Sequence, residues 1–153
     1  MCELLLFFAS RAQHIEERIR PALERGATVI CDRYSTTTLV YQGLARDLGE
    51  ATVMTLASMV EDTVRPDLSL VLDIDPEVAL TRVDERGDAN RLDREPLSFH
   101  QTVRTGFRYY AEMFAENHRL IDADTDAQTL TQTLLTTILE YQRMGELLPS
   151  GAA

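Results

Sequence analysis

The chain has no lysine and no tryptophan, and only two cysteines, five prolines and seven glycines among 153 residues. Without lysine there is no P-loop lysine and no Schiff-base lysine. All fifteen basic residues are Arg, so anion binding must rest on guanidinium groups, whose planar fork pairs well with phosphate. Positive charge is scarce: the formal net charge of −10 argues against a general binder of nucleic acid or anionic membrane. Cys2 and Cys31 form neither a CxxC pair nor a metal spacing. They fit a reducing cytosol, with Cys31 read as a small core residue. The apolar stretch from Leu4 to Ala9 is too short to span a membrane and lacks the basic start and cleavage signal of a secretory peptide. These features give a cytoplasmic reading. His14, His100 and His118 show no ligand spacing, and no Ser-His-Asp or Cys-His arrangement is supported.

What is present suits one domain of ordinary size with a real core: 44% of residues are apolar. Residues 3–25 read as a long helix, with Leu4, Phe8, Ala12, Ile15, Ile19 and Leu23 on one stripe, Pro21 kinking or shortening its last turn, and Gly26 ending it. A strand is expected at 27–31, a short helix from Ser35 or Thr36 through Tyr41, and a helix over 49–62. A second strand follows at 68–73, then a helix to about Arg86 that Asp75 caps and Pro76 opens. After a polar loop at 87–95 come a helix over about 97–117, a third strand near 119–122, and a last helix capped by Asp126. Helices alternating with short apolar strands indicate a parallel α/β sheet flanked by helices. The domain reading is a single partial domain over 1–146 with a loose tail at 147–153.

The most informative stretch is Ala27-Thr28-Val29-Ile30-Cys31-Asp32-Arg33-Tyr34. An apolar run reads as a buried parallel strand, and ligands of open α/β sheets bind at strand carboxyl ends. Asp32 and Arg33 at such an end suit a metal ion and a phosphate; the plainer reading is a helix cap beside a surface ion pair. Phe7 and Arg11, four apart, share a helix face. A ring beside a guanidinium suits a flat heterocycle, although a core Phe and a surface Arg share that spacing as readily. Thr38 offers a donor and an acceptor to a base edge, and Tyr41 either walls off a sugar or packs in the core. Arg82, Arg86, Asn90, Arg91 and Arg94, around Gly87, suit a lid over transferring phosphates or else a solvated charged loop.

In order and at spacing, several segments together resemble bacterial thymidylate kinase. They are Glu3-Leu4-Leu5-Leu6-Phe7-Phe8-Ala9-Ser10-Arg11, Asp32-Arg33-Tyr34 with Tyr41-Gln42-Gly43, Arg65-Pro66-Asp67 leading into Leu70-Val71-Leu72-Asp73, Pro76-Glu77-Val78-Ala79-Leu80, and Asn90-Arg91-Leu92-Asp93-Arg94-Glu95. The resemblance runs from about residue 3 to about residue 125. It implies transfer of the γ-phosphoryl of ATP to dTMP with Mg²⁺, giving dTDP, in a cytoplasmic homodimer with no tightly bound organic cofactor and no nucleic-acid or membrane partner. It also implies roles for residues. Phe7 stacks on thymine, and Arg11 and Thr38 hydrogen-bond its edge. Arg33 holds the acceptor phosphate, with Asp32 beside it as an indirect Mg²⁺ contact. Tyr41 lies against the deoxyribose. Arg91, with Arg86 and Arg94, serves the lid. Asn90 stands where the family usually has an acid, and Phe107 where it frequently has Tyr.

The family's front portion has no counterpart here: its first strand, glycine-rich P-loop and second strand do not precede Met1. In the family's parallel sheet of order 2-3-1-4-5 the first strand is central. The implied fold is therefore a P-loop nucleoside-monophosphate-kinase-like sheet without that strand, with three strands near 27–31, 68–73 and 119–122. Either the strands beside the gap pair directly, or another chain fills it, or the chain is poorly stable alone, because unpaired buried backbone is costly. The chain is expected to have little kinase activity by itself. Two alternatives stand beside this one: a non-catalytic nucleotide-binding or dimerisation remnant, and a kinase for another (deoxy)nucleoside monophosphate.

Overall fold

The computed structural model describes residues 1–61 and 64–145; the expected tail at 147–153 lies outside them. The chain forms two compact units, residues 1–67 and 68–144.

The first unit is helical. Helix α1 runs without a break through three segments, α-helical Cys2–His14, a π-helical turn Ile15–Ile19, and α-helical Arg20–Glu24. The π turn is how the helix absorbs Pro21. A proline has no N–H to donate and its ring clashes with the carbonyl four residues back. Widening the preceding turn, so that the Arg20 N–H reaches the Ile15 carbonyl, relieves the clash. The expected apolar stripe is the buried one: Leu4, Phe8, Ile15 and Ile19 are all in the core. Gly26, at φ 74°, ends the helix. Its N–H bonds the Leu23 carbonyl and the Ala27 N–H bonds that of Ala22, the paired bonds of a Schellman stop.

Helix α2 comprises α-helical Ser35–Thr38 and π-helical Leu39–Ala45. Helix α3 is Glu50–Glu61. Gly43 faces Glu50 and Val53 of α3 across the contact between the two helices. Tyr34 donates its hydroxyl to the Val64 carbonyl at 2.8 Å, and Gln42 donates to Glu3 at 3.1 Å, tying α2 to the segment after α3 and to the start of α1.

The second unit is a parallel pair, β1 (Ser69–Asp73) and β2 (His118–Asp122), in register from Ser69↔His118 to Asp73↔Asp122. Helices α4 (Pro76–Arg86) and α5 (Leu97–Met113) join the strands, and α6 (Ala127–Arg143) follows. The sequence signals hold here. Asp75 accepts from the Glu77 N–H, Pro76 opens α4, Gly87 closes it at φ 73°, and Asp126 accepts from the N–H groups of Gln128 and Thr129.

The expected strand at 27–31 is a correction. Ala27–Cys31 is not a strand, and the sheet of the described residues has two strands. A strand exists only through a neighbour's hydrogen bonds, and none pairs this segment. Val29 packs on the Ile15–Ile19–Val64 core, whereas Ile30 is 88% exposed. Cys31, read as a core residue, is exposed for the same reason.

Candidate functional site

The candidate site is built within the first unit. Arg11 projects from α1 with its side chain 11% exposed. Its Nη2 donates to Oγ1 of Thr38 at 2.9 Å. The rings of Phe8 and Tyr34 lie 5.0 and 5.2 Å from its guanidinium carbon, within cation–π range. Glu61 of α3 places a carboxylate oxygen 3.6 Å from Nη1, a charge contact beyond hydrogen-bond distance. Nη1 is buried and has no hydrogen-bond partner. An Arg carries only donors, and a buried donor left unmade costs about 1–3 kcal/mol. Such an atom suits a ligand acceptor.

Electrostatics follow from burial. Desolvation lowers the pKa of Arg11, and Glu61 opposes it. Burial raises Glu61 from 4.5 to about 7, more strongly than Arg11 and Arg65 pull it down. Tyr34 is raised by burial first and by Glu61 second.

Arg33 adopts φ 65°, a left-handed backbone rare for a side-chain-bearing residue. It turns the chain ahead of α2, and its guanidinium lies 5.8 Å from the Tyr41 ring. Arg11 is thus anchored at Thr38 and Arg33 at Tyr41, one turn apart on α2. Asp32 is exposed beside Arg33. Phe7 is 48% exposed, and the ring against Arg11 is that of Phe8.

The residues expected to form a lid belong to the second unit. The loop after α4 is a turn braced from both ends: Asn90 Oδ1 accepts from the Leu92 N–H at 2.7 Å, and Asp93 accepts from the Asn90 N–H at 2.9 Å. The amide at Asn90 serves as well as an acid in accepting these bonds. Arg91 and Arg94 are exposed on this turn, and Arg86 pairs with Asp88 at 3.2 Å. Arg82, grouped with the lid by sequence, is instead on α4, where it donates to the Ala123 carbonyl and to Asp124, both at 3.0 Å.

Two features escaped the sequence reading. Glu61 is one; an acid on the inward stripe of Val53, Ala57 and Val60 was the available signal. The other is the charge knot at the end of β1. Arg104 grips both oxygens of Asp73 at 2.9 and 3.1 Å and reaches Asp75 at 2.9 Å, while Arg108 donates to Asp73 at 2.8 Å. The Arg104 hydrogen bond foremost, and both guanidinium charges, hold Asp73 below its ordinary value.

Among the described residues no cluster of three or more His, Cys, Asp or Glu could hold a metal ion, and no helix is long and apolar enough to cross a membrane. A lone carboxylate such as Asp32 fits Mg²⁺ in only one way. Mg²⁺ keeps most of its waters and takes one or two carboxylates together with substrate phosphates.

The described residues form an α/β chain of helices with one parallel strand pair, and comparison with known proteins gives its family. The family model described as Thymidylate kinase matches residues 1–134. The chain is 46% identical over 144 residues to a thymidylate kinase of Pseudomonas fluorescens, covering 92% of this chain and 69% of the relative. It is 45% identical over 123 residues to a thymidylate kinase of Chlamydia muridarum, covering 79% and 61%. A crystal structure of thymidylate kinase from Ehrlichia chaffeensis superposes with a TM-score of 0.69 at 27% identity, over 91% of this chain and 65% of that one. The chain belongs to the thymidylate kinase family, and spans about two thirds of the length of these relatives.

Proposed function

We propose that this chain carries the nucleoside-monophosphate half of a dTMP kinase: its protein transfers the γ-phosphoryl of ATP to dTMP, giving dTDP. The observation that carries the reading is the buried, unpartnered Nη1 of Arg11 beside Thr38. Thr38 Oγ1 already accepts from Arg11, so its hydroxyl hydrogen is free to donate. Both groups thus present donors, which suits a base edge bearing a carbonyl, as in thymine, and not the exocyclic amine of cytosine.

In this reading Phe7 stacks on the base and Tyr41 lies against the deoxyribose. Arg33 holds the acceptor phosphate with Asp32 beside it. A phosphate oxygen of dTMP attacks the γ-phosphorus of ATP, and the bond to the leaving ADP oxygen breaks. Arg91, helped by Arg86 and Arg94, neutralises charge on the transferred group from the lid. Asp32 would hold, indirectly, the Mg²⁺ that accompanies ATP, and that ion would supply charge neutralisation on the phosphates. With no lysine and no glycine-rich lysine motif, the 153-residue polypeptide lacks the cradle for the ATP phosphates.

Residues 1–146 work as one partial kinase domain in the cytoplasm, as a homodimer without nucleic-acid or membrane partners. Exposed Leu5 and Leu6 on α1 and Met54 and Met59 on α3 support self-association.

Calorimetric titration with dTMP, paired with a coupled ADP-release assay on the purified chain, tests the proposal. Saturable dTMP binding with negligible turnover is expected. Absence of binding overturns the site; robust turnover overturns the account of the missing cradle.

A further inference from the structure

Glu61 is an expensive residue to keep where it is. A carboxylate 6% exposed on the inward face of α3 is strongly disfavoured unless something uses its charge. Four groups face it: the Arg11 guanidinium from α1, the Tyr34 ring and the Ser35 hydroxyl at the start of α2, and Arg65 beyond α3. Ser35 donates to the Glu61 oxygen that lies against Arg11. That oxygen is 3.6 Å from Nη1, close enough to attract the cation and too far to consume its hydrogens. Thr38 fixes the Nη2 end of the same group at 2.9 Å. The guanidinium is therefore oriented from two sides, with rings against it and one donor unspent.

We propose that Glu61 is the positioning residue of Arg11, and that its charge state sets how tightly the site holds a pyrimidine monophosphate. The second half rests on the dTMP reading; the first does not. Burial brings the Glu61 carboxyl to about 7, so the device switches in the neutral range. Above that range the ionised carboxylate steadies Arg11. Below it the protonated acid keeps its Ser35 contact and loses its hold on the cation.

The test uses the 153-residue chain, Glu61→Gln, which keeps the shape and removes the charge, and Glu61→Leu, which restores the apolar stripe and is expected to fold. In the ligand-free proteins the Nε–Hε resonance of Arg11, assigned through Arg11→Lys, is followed from about pH 5.5 to about pH 8.5. It should titrate with a midpoint near 7 in the parent and be flat in both variants. In parallel, dTMP affinity of the parent should weaken roughly tenfold from the high to the low end, about the worth of one charge-assisted contact, relative to the change in Glu61→Gln. The phosphate of dTMP itself titrates near pH 6 but does so equally in both proteins. An Arg11 signal that does not titrate, or titrates alike in Glu61→Gln, overturns the positioning role. A titrating Arg11 with equal dTMP profiles overturns control of the site. A titrating Arg11 in a chain that binds no dTMP upholds the positioning and removes the dTMP reading.

Discussion

Arg11 and Thr38, 27 positions apart in sequence, are joined by a 2.9 Å hydrogen bond from Nη2 to Oγ1 that fastens α1 to α2. The bond fixes the arginine and obliges the threonine to donate elsewhere. Thr38→Val keeps the shape and removes the acceptor from a buried cation. It is expected to cost about 1–3 kcal/mol of stability by chemical denaturation and to weaken dTMP binding at least roughly tenfold. Unchanged stability would show that the bond contributes nothing in solution.

Glu61 governs a pH dependence of stability. Its folded value, about 7, lies above the ordinary 4.5, so the folded chain binds that proton more tightly than the unfolded chain. The resulting stabilisation is full below 4.5 and lost as pH rises through about 7. Denaturation midpoints across this window should fall with rising pH in the parent and fall less in Glu61→Gln. Parallel curves would contradict the buried carboxylate.

Asp73 works in the opposite sense. Its hydrogen bond to Arg104 and the charges of Arg104 and Arg108 lower its value from 3.8, so the stabilisation is present above 3.8 and lost as pH falls through the lowered folded value. Asp73→Asn should cost roughly 2 kcal/mol in urea titration, because it removes the charge and turns one of the two acceptor oxygens of a two-pronged guanidinium pair into a donor. Arg104→Lys should also lower the urea midpoint, since an ammonium cannot reproduce the fork.

Asp126 accepts from the backbone of Gln128 and Thr129 at 2.9 and 3.0 Å and from the Thr129 hydroxyl at 2.6 Å. Asp126→Ala should lower the thermal midpoint, because the first turn of α6 loses the acceptor of its Gln128 and Thr129 N–H groups. A shift within error would mean that α6 does not depend on its cap.

The contrast between Asp126 and Ile30 shows what the sequence could and could not disclose. Caps, stops and the α1 stripe are local: Asp75, Asp126, Gly26 and Gly87 act on residues a few positions away, and each stands where its chemistry requires. The segment Ala27–Cys31 has a strand's composition, but strand formation depends on a distant neighbour that composition does not supply. The amides of residues 28–31 are expected to exchange rapidly with solvent, and protection matching that of Val71 would contradict the structure. Arg11, Thr38, Arg33 and Tyr41 could be singled out as candidates by residue type and position, with their roles supplied by the family resemblance. Glu61 and the Asp73–Arg104 knot could not be, because each is defined by what three separate elements bring to one point. Pro21 shows an intermediate case, in which the disturbance was legible and the π turn that absorbs it was not.

The measurement bearing most directly on the account is calorimetric titration of dTMP into the 153-residue chain and into Arg11→Ala. The account predicts saturable binding by the parent and at least a roughly tenfold loss in the variant, with dCMP binding poorly to both. Equal binding by the two proteins, or equal preference for dTMP and dCMP, would contradict it.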